Sequence, residues 1–207
     1  MEKKFTEEDS LRLINEMIAQ VNSNIQKGAA STMILSGYSV AITAIINIIL
    51  MHILPDPNMS FWIWSLMILL PIGDRIMNKR KDKESIVRTH IDRIIGNTWG
   101  AFGCATAVLF VVIFGLVYAF QTWVFTALFT PIILTMMGIA QYTTAVASKF
   151  RPFYWGVIAF WLGAVLCVVS IIFIRNADIQ FIILAVCTII GFVIPGHILN
   201  SKAKNNV

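Results

Sequence analysis

Apolar residues run in long blocks along this chain, and charges collect in the gaps between them. Six blocks approach the ~20 residues a helix needs to cross a ~30 Å hydrocarbon layer. They lie at about 29–54, 59–77, 96–120, 122–147, 153–174 and 179–199. The third and fourth together are too long for one span, and Gln121-Thr122 is the natural place for a tight turn between two. Ahead of the first block, Leu11, Ile14, Ile18, Val21 and Ile25 alternate at spacings of 3 and 4, which puts them on one helical face, widened by Leu13 and Met17. Thr6 with Asp9 three residues on has the form of an N-terminal capping box, and Gly28 is the expected stop. The pattern therefore predicts an all-α membrane protein of six transmembrane helices. A cytoplasmic amphipathic helix over residues 1–28 precedes them, and a cytoplasmic tail over 200–207 follows.

Composition sharpens this. Hydrophobic residues make up 57% of the 207 residues and charged ones only 13%, about half the roughly 25% of a water-soluble domain, and the mean hydropathy is +0.77. The first 28 residues carry nine charges and no apolar h-region, so the first span is expected to do the targeting. Fifteen of the sixteen Lys and Arg residues fall on the side of the N-terminus under this topology, leaving only Arg175 opposite. A positive-inside bias of this size predicts that both termini lie in the cytoplasm. Trp62, Trp64 and Trp123 then fall at outer ends and Trp99 and Trp155 at inner ends, as amphipathic indoles do. Only Trp161 lies deeper. The outer connections are short, so any site is expected within the bundle or on its cytoplasmic rim.

A weak internal repeat accompanies the spans. Pro71, Pro131 and Pro195 recur in the even ones, and Gly37, Gly100 and Gly156 near the start of the odd ones. Three tandem helical hairpins would produce this, and so would coincidence among residues common in membrane helices.

Three groups of residues are candidates for function. The stripe Leu11, Ile14, Ile18, Val21 and Ile25 is a candidate partner-docking face. With four basic and five acidic residues over 1–28, it is not the Lys/Arg-rich helix that lies on anionic lipid, so docking on its own bundle, a protein partner or a second copy is favoured over docking on lipid. Asp74 and Arg75, adjacent at the inner end of the second span, form with Asn78, His197 and Asn200 a candidate cytoplasmic vestibule, since ionisable groups near a membrane core are costly and often functional. Tyr38 and Asn47 in the first span and Gln141 and Tyr142 in the fourth are a candidate intramembrane polar pocket. The plainer reading is that they hold helices together by hydrogen bonds. Gly96, Gly100, Gly103 and Ala107 on the third span form a close-packing pattern, expected either at the bundle centre or in a dimer seam.

Several chemistries lack their residues. No span carries a central acidic residue for ion coupling, and no HExxH, GxSxG or Walker A pattern occurs. Cys104, Cys167 and Cys187 sit singly in apolar runs and read as small hydrophobes. His52, His90 and His197 are too dispersed for a metal site, and His52 with Asp56 is only a two-ligand pair. The basic second cytoplasmic connection is a topogenic and headgroup-contact signal, not a nucleic-acid module. No catalytic group, cofactor, metal or nucleic-acid partner is expected. The expected partners are membrane lipids, a second copy of the chain or a cytoplasmic protein.

Two stretches, Glu8 to Ile18 (EDSLRLINEMI) and Ile194 to Asn200 (IPGHILN), resemble the two ends of a family of small polytopic membrane proteins of Bacteroides-like bacteria. The resemblance implies a bacterial inner-membrane protein and carries no activity, so it assigns no functional residue. The leading expectation is a non-enzymatic membrane module coupled through its N-terminal helix to a cytoplasmic partner or to itself. A channel or transporter for a small neutral or amphipathic solute is the alternative.

Overall fold

A computed structural model describes residues 7–68 and 90–205, helical almost throughout. Helix α1 runs from Glu7 to Ile53. A 3-10 helix, Pro57–Ile68, follows. Helix α2 spans His90–Phe120, and a short 3-10 helix, Trp123–Leu128, leads into α3, Phe129–Ser148. Helix α4 spans Pro152–Phe173 and α5 spans Ala177–Thr188. A π-helical turn, Ile189–Val193, joins α5 to α6, Ile194–Asn205.

Among the described residues, five apolar stretches are long enough to cross a membrane: Ala29–Ile53, Arg93–Phe120, Trp123–Ser148, Pro152–Phe173 and Ala177–Lys202. They coincide with five of the six expected spans. The other, 59–77, is described only to Ile68. Its described part is a 3-10 helix, in which Ser60 Oγ donates to the Pro57 carbonyl at 2.7 Å and Ser65 Oγ to the Trp62 carbonyl at 2.7 Å. These i to i−3 side-chain bonds match the tighter winding.

One boundary differs from the sequence expectation. Gly28 does not end a helix but lies inside α1, flanked by Gln26, Lys27, Ala29 and Ala30, all tolerant of helix. One interior glycine costs only about 1 kcal/mol against alanine, too little to break a helix that both sides favour. The expected tail from residue 200 is helical, as α6 runs to Asn205.

Three connections turn on a single residue with left-handed backbone: Gln121 (φ 52°), Lys149 (φ 53°) and Arg175 (φ 55°). Each follows the end of a helix, where such a residue reverses the chain. Asn176 then caps α5, its side chain accepting from the Asp178 N–H at 2.8 Å, and Pro152 opens α4, where its missing N–H costs nothing.

The core joins α1, α3, α4, α5 and the π turn around Leu134, Phe160, Cys167, Phe181 and Phe192. A smaller cluster of Ala30, Ala145, Phe153 and Leu199 closes the end of the bundle near the N-terminal extension. Helix α2 is peripheral. Only 11% of its membrane-length window is buried, against 28–56% for the other four, so the bundle-centre reading of its glycines does not hold among the described residues. It packs on α3 through Trp99, Phe102 and Phe110. The repeat glycines are not equivalent either. A Cβ on Gly37 would lie 2.7 Å from the Val193 side chain and one on Gly156 2.8 Å from the Gly191 carbonyl oxygen, whereas Gly100 faces open space.

Candidate functional site

The best-defined polar feature of the bundle begins with Pro195. A proline has no N–H, so the Gly191 carbonyl four residues earlier has no α-helical donor. An orphan carbonyl inside a membrane bundle is costly. The chain winds here as a π turn, and the Ile194 N–H reaches back to the Ile189 carbonyl. The Gly191 carbonyl is met from another helix: Gln141 Nε2 of α3 donates to it at 3.1 Å.

Close approach makes this contact available. Gly156 of α4 lies against the Gly191 backbone, where a Cβ would fall 2.8 Å from the carbonyl oxygen and 2.9 Å from Cα. The ring of Phe160 occupies the space a Gly191 side chain would need. Phe192 packs edge-on to Trp99 of α2, with ring centroids 5.4 Å apart, and Trp99 Nε1 donates to Thr144 Oγ1 at 3.1 Å. Three helices and the π turn therefore meet at one level. Gln141 is fully buried, and among the described residues its Oε1 has no hydrogen-bond partner.

A second polar contact lies elsewhere. Asn47 of α1, fully buried, accepts from Trp64 Nε1 at 3.2 Å and donates through Nδ2 to Met51 Sδ at 3.4 Å. Trp64 stacks on Phe181 with centroids 6.1 Å apart. Counting helical rise from the Ala30–Ala145 level, Asn47 and Gln141 are separated by roughly 20 Å across the membrane.

The four residues expected to line a polar pocket are thus divided. Asn47 and Gln141 are buried in separate contacts. Tyr38 and Tyr142 are 45% and 48% exposed. Tyr142 stacks on Trp161 at 6.2 Å and meets Tyr154 edge-on. Tyr38 meets His197 edge-on at 6.4 Å, so the structure joins one pocket candidate to one vestibule candidate. His197 is exposed and Asn200 half-buried on α6. Asp74, Arg75 and Asn78 lie outside the described residues. Leu11, Ile14, Ile18, Val21 and Ile25 belong to the first half of α1.

Sequence reasoning missed Trp64, Trp99, Gly191 and Pro195 as polar partners. Interface anchoring is the role the sequence predicts for these tryptophans, yet each N–H is a donor that needs an acceptor once covered. The signal for Gly191 was present in Pro195, counted four residues back.

Other chemistry is sparse. Cys167 and Cys187 are buried and Cys104 exposed, all as free thiols, and Cys187 Sγ contacts the Ala159 carbonyl at 3.2 Å. At the opposite end from the N-terminal extension, His52 Nε2 lies 3.5 Å from Asp178 Oδ2. Among the described residues no group of three His, Cys, Asp or Glu side chains could hold a metal ion. No family model, curated protein or solved structure matches this chain.

Proposed function

We propose that this protein is a non-enzymatic membrane module whose N-terminal helix couples the transmembrane bundle to a cytoplasmic partner or to a second copy of itself. The observation that carries this reading is the continuity of α1. Its 47 residues form one helix, of which Ala29–Ile53 is long and apolar enough to span a membrane. The remaining turns, Glu7 to Gly28, extend it by about 33 Å at 1.5 Å per residue, bearing the Leu11, Ile14, Ile18, Val21, Ile25 stripe.

The foot of that extension is gripped by the last helix. Ala30 is fully buried, and a Cβ on Gly196 of α6 would lie 2.7 Å from the Ile34 side chain and 3.3 Å from the Ala30 carbonyl. Leu199 and Phe153 pack in the same cluster. A displacement of the extension thus acts directly on α6 and, through Pro195, on the π turn held by Gln141. The charge split in the sequence puts the extension in the cytoplasm, and the resemblance of both chain ends favours a bacterial inner membrane.

The test is deletion of residues 1–26 followed by crosslinking in native membranes. The truncated protein is expected to insert normally and to lose its crosslinked adduct, to a partner or to itself. An adduct recovered at wild-type yield overturns the reading.

A further inference from the structure

Between α3 and α4 the bundle opens sideways into a groove of about 520 Å³. It is lined by Leu128, Pro131 and Thr135 on one side and Ala164, Val165 and Val168 on the other. That volume is within the range of sites that hold small ligands. Its one hydroxyl, Thr135 Oγ1, donates to the Pro131 carbonyl at 2.8 Å and presents no free donor. The walls are otherwise apolar, and both helices are of membrane-spanning length.

The groove has a blind end and a charged end. One turn below it, the Trp161 indole lies over Gly138, filling the place a side chain there would take, and stacks on Tyr142. In the other direction Val168 leads to Arg175 seven residues on, two helical turns and about 10 Å away. Arg175 follows the end of α4, is exposed, and has left-handed backbone. Among the described residues its side chain has no ion pair or hydrogen bond, and the carboxylate of Asp178, three residues on, lies 3.5 Å from His52 Nε2. Among the described residues it is also the only Lys or Arg in the connections at this end of the spans.

We propose that this groove and Arg175 form a phospholipid site, with an acyl chain in the groove and an anionic headgroup at the Arg175 guanidinium. The charge and the slot complement the two ends of one molecule. A guanidinium at the membrane interface pairs with phosphate through several N–H donors, and an apolar slot between two membrane-length helices offers an acyl chain van der Waals contact along its length. The site is independent of the coupling role of the N-terminal helix and needs only that the bundle sits in a membrane.

The experiment is to purify the full chain from bacterial membranes, wash it extensively in dodecyl maltoside and count retained phospholipid by mass spectrometry. Retained lipid is then exchanged against phosphatidylglycerol and phosphatidylcholine in mixed micelles. Wild type is expected to hold about one phospholipid per chain and to prefer phosphatidylglycerol. Val165→Trp fills the groove from a position already 60% exposed, so the fold survives, and retention should fall at least fivefold. Val108→Trp, on an equally exposed face of α2, should leave it unchanged. Arg175→Gln should keep the lipid but lose the headgroup preference by threefold or more, and Arg175→Lys should restore part of it. Wild-type retention in the Val165→Trp protein, or equal loss in Val108→Trp, overturns the site in favour of ordinary boundary lipid. A Val165→Trp protein that keeps its lipid but changes from dimer to monomer identifies the groove as a contact between copies instead.

Discussion

Gln141 and Gly191, fifty residues apart in the chain, share a 3.1 Å hydrogen bond from a side-chain amide to a backbone carbonyl. The bond exists because Pro195 withholds the donor an α-helix would have supplied. Replacing Gln141 with methionine keeps the length of the side chain and leaves that carbonyl unmet. An unsatisfied buried acceptor costs about 1–3 kcal/mol, while hydrogen bonds between membrane helices average about 0.6 kcal/mol. The substitution also removes Gln141 Oε1, itself without a partner among the described residues, which offsets part of the loss. The expected cost is about 1 kcal/mol, measured by reversible unfolding in mixed micelles.

The glycines differ in what surrounds them, and substitution should sort them. At Gly156 an added Cβ meets the Gly191 backbone at 2.8–2.9 Å. Backbone cannot rotate aside, so Gly156→Ala must push α4 from the π turn, at the about 1–3 kcal/mol typical of overpacking. Gly100 has open space around it. Gly100→Ala should be neutral or raise stability by up to about 1 kcal/mol through helix propensity. The same unfolding assay checks both, and equal losses would contradict the packing described.

Trp64→Phe retains a ring over Phe181 and removes the N–H that Asn47 Oδ1 accepts. The expected loss is about 1 kcal/mol, since a buried carbonyl oxygen is left alone. Adding Asn47→Leu removes the stranded group, and the double variant should be more stable than the single one. A coupling energy near zero in the double-mutant cycle would show that the bond contributes nothing.

Much of the fold was legible in the sequence. The break between α2 and α3 falls at Gln121, where uninterrupted hydropathy gave only a length argument. The α4–α5 connection falls at Arg175 to Asn176. These succeed because hydrocarbon thickness fixes helix length and leaves polar residues little choice of place. The π turn was not legible, because hydropathy does not register one extra residue per turn. The polar residues were found but wrongly grouped. Asn47 lies roughly 20 Å from Gln141 across the membrane, and helical azimuth turns Asn47 and Gln141 inward while Tyr38 and Tyr142 are exposed. Single-span patterns carry azimuth poorly when nearly every position is apolar, and they do not align the depth of one span with that of another.

Helical continuity through Gly28 is directly measurable. Spin labels at Ser10 and Ser36, in a background free of the native cysteines, should sit about 39 Å apart with a narrow distribution, since 26 residues rise 1.5 Å each. A broad distribution centred well below that would mean a hinge.

An unbroken α1 also fixes a phase. The direction in which the Leu11–Ile25 stripe points is locked to the face that Asn47 and Ala44 turn toward the core, as marks on one shaft are locked to each other. One alanine inserted after Gly28 should turn the stripe by about 100° while lifting it only about 1.5 Å, whereas seven should nearly restore its bearing and lift it about 10 Å. Crosslinking yields from these two insertions would separate a partner that reads direction from one that reads reach. A chain with a joint at Gly28 would be indifferent to the first.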